Sequence, residues 1–216
     1  TVEPIYSFIS ASGKWAAENF PEWSSPRWKN WSPPESFRNF TKIGELKIDL
    51  PQLCGELPKD KALALPGPAQ FSLPLMLSPP THGSLLLETS GCGQKESVAV
   101  LNHSILGLLT GAPPGMVSFS IIDPVGLGEN FSSIMHLADY ENNLINDRIW
   151  TQTEQIDKRL EELNEHMEKV IQMYLRNEYE TIAEYNLQAG NIAEKYHFLV
   201  IADFPTNFSD SADKRL

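Results

Sequence analysis

The segment S-L-L-L-E-T-S-G-C-G-Q-K-E-S-V-A-V-L, Ser84 to Leu101, sets an apolar run, a glycine turn and a second apolar run in the order used by phosphate-binding loops. Such a loop, G-x-x-x-x-G-K-[ST], surrounds phosphates with bare backbone amides, reaches the outer phosphates with a lysine and offers a hydroxyl to magnesium. Two registers compete. With Lys95 as the lysine, Gln94 falls on the second glycine, Thr89 on the first and Glu96 on the hydroxyl. With Gly93 as the second glycine, Gln94 and Lys95 follow it and Glu88 takes the first position. Gly91, Gly93, Gln94, Lys95 and Ser97 are the residues placed to meet a phosphate, and neither register supplies the full chemistry.

Two carboxylates stand at comparable places. Asp123 closes M-V-S-F-S-I-I-D and Asp203 closes Y-H-F-L-V-I-A-D, each at the end of an apolar run. Asp123 precedes Pro124, so it either binds something at a strand edge or caps a turn through its own side chain. The five histidines, His82, His103, His136, His166 and His197, keep no metal-ligand spacing and read as satisfied core or surface groups. No G-x-S-x-G frames a serine nucleophile. The Gly126 to Asn130 loop is too short for a dinucleotide fingerprint.

These groups need a scaffold, and the periodicities describe one. Phe40 to Leu50 alternates apolar and polar residues and predicts a half-buried strand stopped by Pro51; Gln70 to Leu77 predicts an edge strand. Ser84 to Leu87 predicts a strand feeding the glycine turn. Val98, Leu101, Ile105, Leu108 and Leu109 mark a helix broken at Gly111 to Gly115. Met116 to Asp123 and Tyr196 to Ala202 predict fully buried strands, as in a parallel sheet. Between them lies a short helix or turn around Phe131 to Leu137. A long amphipathic stretch follows, Thr151 to Gln188, whose charges read as a solvated face rather than a partner surface. This is the rhythm of an α/β, P-loop-type three-layer sandwich with a mostly parallel sheet, in which ligands sit beyond the carboxyl ends of the strands. The organisation expected is a Trp/Pro-rich segment over residues 1–40, a β-rich lead-in over 41–80 and the α/β part over 81–216. Trp15, Trp23, Trp28 and Trp31 read as a strap packing onto the main body, after one short helix near Ile5 to Phe20.

Four stretches, L-L-L-E-T-S-G-C-G, F-S-I-I-D-P, I-A-E-Y-N and F-L-V-I-A-D-F, in this order and spacing, resemble the motor domain of the FtsK/SpoIIIE family of DNA translocases over about Leu73 to Phe208. The resemblance implies a P-loop ATPase with degenerate Walker A and B motifs. It implies ATP and Mg2+ as cofactors, a homo-hexameric parent, and contact with double-stranded DNA through parts outside this chain. In the family a strand ending in Asp-Glu positions metal and attacking water. Here Asp203 matches either the metal aspartate or the catalytic glutamate, with Phe204 or Ala202 at the other place, so it is the one residue carried over as catalytic. The resemblance implies a cytoplasmic module, its parent membrane-anchored, connected with DNA translocation and cell division. The alternative is a catalytically inactive pseudo-ATPase that serves as a protein-binding scaffold.

Composition narrows the choice. A formal net charge of −11 over 216 residues is incompatible with a general electrostatic grip on nucleic acid. Cys54 and Cys92 lack a disulfide framework and suit a reducing compartment. Five N-x-[ST] triplets, at Asn30, Asn39, Asn102, Asn130 and Asn207, are the minority argument for a secreted glycoprotein. No apolar run reaches the roughly 20 residues that cross a bilayer. The chain lacks an initiator methionine and stops soon after a core strand, so it reads as a piece of something longer.

Overall fold

The computed structural model describes residues 3–57, 60, 63–140, 148–176 and 178–216. It is a mixed α/β protein with an antiparallel strand pair and a small parallel three-stranded sheet. The chain divides into two compact units, residues 1–34, 38–88 and 103–111 in the first, and 35–37, 89–102 and 112–216 in the second.

In the first unit, helix α1 (Glu3–Asn19) turns Tyr6 inward, where its hydroxyl donates to Pro68 O at 2.9 Å and its ring meets Phe71 edge-on. Strands β1 (Thr41–Asp49) and β2 (Gln70–Leu77) pair antiparallel from Thr41 against Leu77 to Asp49 against Gln70, with an irregularity between Lys42 and Gly44. The strand ends at Asp49 because its carboxylate accepts from Gln52 N and caps the short helix α2 (Leu50–Cys54), while Pro51 supplies no N–H. Of the four tryptophans expected as a strap, Trp15, Trp23 and Trp28 make ring contacts within this unit, and Trp31 is 45% exposed. Trp15 meets Phe20 and Phe40, and Trp23 stacks on Trp28. Trp23 Nε1 donates to His103 Nδ1 at 2.9 Å. The other ring nitrogen, Nε2, lies 2.9 Å from Lys42 O, a pure acceptor, so His103 carries its proton there.

The second unit holds the parallel sheet, ordered β4-β3-β5, from β3 (Val117–Ile122), β4 (Ile149–Trp150) and β5 (Tyr196–Ile201). Central β3 is buried at every position, as its continuous apolar text requires. Alternation sends Val117, Phe119 and Ile121 to one face, where Phe119 stacks on Phe198 and Phe37 packs on Tyr196. Ser118, Ser120 and Ile122 point to the other face, covered by α5 (Thr153–Val170). There Ile122, Trp150, Ile156, Leu160 and Ala212 form the core, with Leu163, Ile201 and Phe208 against it. The connection from β3 to α5 includes α4 (Ser132–Met135) within the expected Phe131 to Leu137 segment. Helix α7 (Asp210–Asp213) is capped by Ser209, whose hydroxyl also donates to Asp157 on α5 at 2.6 Å.

Helix α3 (Gln94–Thr110) begins earlier than the Val98 expected from apolar spacing. Three expectations change. Residues 83–89 form no strand; Leu86 is 86% exposed, and a strand exists only where a neighbouring backbone takes its hydrogen bonds. Tyr196 to Ile201 is not fully buried, because β5 lies at the sheet edge and Leu199 is 36% exposed. The stretch Thr151 to Gln188 is not one helix. After α5 it passes through a π-helical turn (Ile171–Leu175), Arg176 adopts φ 42°, and α6 (Ile182–Ala189) restarts at Thr181. Thr181 Oγ1 accepts from Glu184 N, and Glu184 Oε2 accepts from Glu180 N, a near-complete capping box readable in T-I-A-E. Among the described residues no helix is long and apolar enough to cross a membrane.

Candidate functional site

Because β3 and β5 run parallel with Ile122 beside Ile201, their next acidic residues, Asp123 and Asp203, leave the same edge of the sheet. The glycine turn reaches one of them. Gly91 and Gly93 take φ 72° and 92°, conformations that cost other residues about 1–2 kcal/mol, and they fold Ser90 back toward Cys92. The chain then enters α3, Ser97 N donating to Gly93 O at 2.9 Å. Gln94, the first residue of that helix, extends its side chain so that Nε2 donates to Asp203 Oδ1 at 2.7 Å. Asp203 has φ 56°, and its second carboxylate oxygen, Oδ2, is buried with no hydrogen-bond partner among the described residues.

Asp123 is placed differently. It is 0% exposed, and both oxygens are taken. Oδ1 accepts from Gly126 N and Asn130 Nδ2, each at 3.0 Å, and Oδ2 accepts from Gly128 N at 3.0 Å and Asn130 N at 3.3 Å. Four donors saturate a carboxylate, so Asp123 organises the loop that follows β3 and has no oxygen left for a ligand. Of the two readings of this residue, its geometry matches the turn cap. Gly126 belongs to the same arrangement, since a Cβ there would collide with Asn130 Nδ2 and lie 2.6 Å from Asp123 Oδ2.

Of the residues singled out in the sequence, the turn glycines Gly91 and Gly93, Gln94 and Asp203 are therefore brought to one place. Lys95 is exposed and Ser97 half-buried on the first turn of α3, with exposed Glu96 between them and exposed Glu88 before the turn. One carboxylate with a single unengaged oxygen, its neighbour on the sheet edge, Asp123, having both oxygens taken, is an incomplete set for phosphoryl transfer, which relies on metal charge neutralisation and a positioned water. Among the described residues no group of three His, Cys, Asp or Glu side chains is arranged to hold a metal.

The structure adds a polar group that the sequence reading left as ordinary core histidine. His197 on β5 lies between Ser118 and Ser120 of β3, its Nδ1 2.8 Å from Ser118 Oγ and its Nε2 2.9 Å from Ser120 Oγ. Arg159 Nε donates to the same Ser120 Oγ at 2.8 Å. Burial first, and then the charges of Arg159 and His166, push His197 down to about 4 from its ordinary 6.5. The readable signal was the two serines spaced i, i+2 within an otherwise apolar strand. At three N-x-[ST] triplets the asparagine amide is engaged: Asn102 with Val98 O and Asn130 O, Asn130 with Asp123, and Asn207 with Thr151 O. No family model, curated protein or solved structure matches this chain.

Proposed function

We propose that the chain is a FtsK/SpoIIIE-like P-loop module that holds ATP and Mg2+ at the Gly91–Gly93 turn without efficient hydrolysis, within a hexameric, membrane-anchored parent that moves double-stranded DNA. The observation that carries this reading is the 2.7 Å hydrogen bond between Gln94 and Asp203, which joins the glycine turn to the tip of β5 across 109 residues of sequence. A nucleotide site on a parallel sheet needs that meeting of turn and strand end.

The residues fit the phosphate part of such a ligand better than the metal part. A Cβ built on Gly91 meets nothing within 4 Å, so the turn borders open space, and the first amides of a 17-residue helix attract anions without any lysine. Lys95 adds a cation there, while Glu88 and Glu96 oppose it. Bound Mg2+ would supply charge neutralisation, and Asp203 is the carboxylate that meets the turn through Gln94, which occupies one of its oxygens. Binding with little turnover follows.

Isothermal titration of the chain with ATP and Mg2+ tests the proposal: micromolar binding that disappears in Lys95→Ala supports it. The second reading, a pseudo-ATPase scaffold, is favoured by the same Gln94 bond, which takes one of the two Asp203 oxygens that a metal would use. It predicts no heat with any nucleotide.

A further inference from the structure

The hydrogen bonds around His197 leave few proton arrangements. Ser118 is 7% exposed and Ser120 0%, so both hydroxyls are turned into the protein. Ser120 Oγ already accepts from Arg159 Nε. The arrangement that gives the fully buried Ser120 hydrogen an acceptor has Ser120 donating to His197 Nε2 and the imidazole N–H on Nδ1 donating to Ser118 Oγ; the hydrogen outside the relay is then that of Ser118, the less buried serine. Three elements, β3, β5 and α5, are tied together by this relay. A second proton on the ring would point Nε2–H at Ser120, whose oxygen would then accept from two cations while its own hydrogen lost its acceptor.

The charged surroundings do not offset a second cation. From α5, Arg159 and His166 lower the affinity of His197 for a proton; Arg159 Nη1 is paired with Glu162 at 3.2 Å, and His166 lies 3.2 Å from Glu194 before β5. From β3 the neighbours are hydroxyls. Arg159 is also 5.9 Å from the Trp150 ring centroid, which commits its guanidinium to this site.

We propose that the Ser118–His197–Ser120–Arg159 relay is a proton-operated fastening, in which neutral His197 holds α5 on the sheet and protonated His197 releases it. The direction follows from linkage. A histidine held at about 4 when folded and near 6.5 when released binds its proton more tightly after release. The fastening is therefore at full strength above pH 6.5, weakens as pH falls through the interval down to about 4, and loses nothing further below it. A released α5 would uncover Ile156 and Leu160, now buried against the sheet.

Hydrogen exchange on the intact chain tests this, with rates corrected for the intrinsic effect of pH. Protection of peptides within 153–170 is expected to fall by about tenfold or more between pH 7 and pH 4, while peptides of 41–49 and 70–77 keep theirs. In His197→Gln the protection of α5 is expected to be flat over the same interval. Equal protection of α5 at both pH values overturns the proposal, as does an equal loss in His197→Gln or simultaneous loss in every peptide. If His197→Gln does not fold, proton NMR of the wild-type imidazole decides. A midpoint depressed below 6.5 that rises in Arg159→Gln supports the fastening, and an undisplaced midpoint with α5 still protected overturns it.

Discussion

Gln94 and Asp203 share a 2.7 Å hydrogen bond in which the first side chain of α3 takes one carboxylate oxygen at the tip of β5. The glutamine thus stands where one register of the loop motif asks for a bare glycine, and it occupies one oxygen of Asp203 as well. The double variant Gln94→Gly/Glu96→Ser bares the backbone amide, supplies the hydroxyl and removes a like charge. On the proposed function, its ATP and Mg2+ affinity rises by about tenfold, or ~1.4 kcal/mol. Calorimetry on both proteins checks this; unchanged affinity would favour the scaffold.

Asp123 makes a separate prediction, because its carboxylate faces only backbone amides and Asn130. Asp123→Ala leaves several buried donors without acceptors and is expected to cost roughly 3 kcal/mol or more in urea unfolding. Nucleotide titration of the folded fraction should be unaltered. A loss of binding with intact stability would return Asp123 to the ligand.

Gly107 reverses a common rule. Exchanging an interior helix glycine for alanine normally gains about 1 kcal/mol. Here the new Cβ would collide with Thr41 Oγ1 and lie 3.3 Å from Thr41 Cβ, and Thr41 is buried on β1. Gly107→Ala is expected to lower the thermal midpoint, and Gly107→Ala/Thr41→Ala, which removes the colliding hydroxyl, to recover part of the loss.

Acid should destabilise the protein through His197. Its folded value of about 4 lies below the ordinary 6.5, so the unfolded chain binds the extra proton. The associated loss is ~3 kcal/mol between pH 6.5 and pH 4, at 1.36 kcal/mol for each unit. Urea midpoints across that range check it, and His197→Gln should flatten the slope.

Much of this arrangement was readable before any coordinates. The alternation in Phe40 to Leu50, the apolar runs ending at Asp123 and Asp203, and the helical spacing after the glycine turn depend on local burial, and local burial leaves a period in the sequence. Those segments became β1, β3, β5 and α3. The cap at Thr181 is equally local, but the amphipathic stretch expected over Thr151 to Gln188 ran through it.

Pairing decided the rest, since a strand is defined by its neighbour as well as by its own residues. Ile149–Trp150 is too short to carry a period and became β4 because the Ile122 backbone lies beside it, whereas Ser84 to Leu87 has the apolar text of a strand and no partner strand among the described residues. The same holds for chemistry. The sequence placed Asp123 and Asp203 at the ends of apolar runs and Gln94 in the glycine turn, and left His197 among ordinary core or surface histidines. Only the fold determined that Gln94 meets Asp203, that four donors exhaust Asp123, and that two serines and an arginine close around His197, because hydrogen bonds depend on distances that spacing along a chain does not encode.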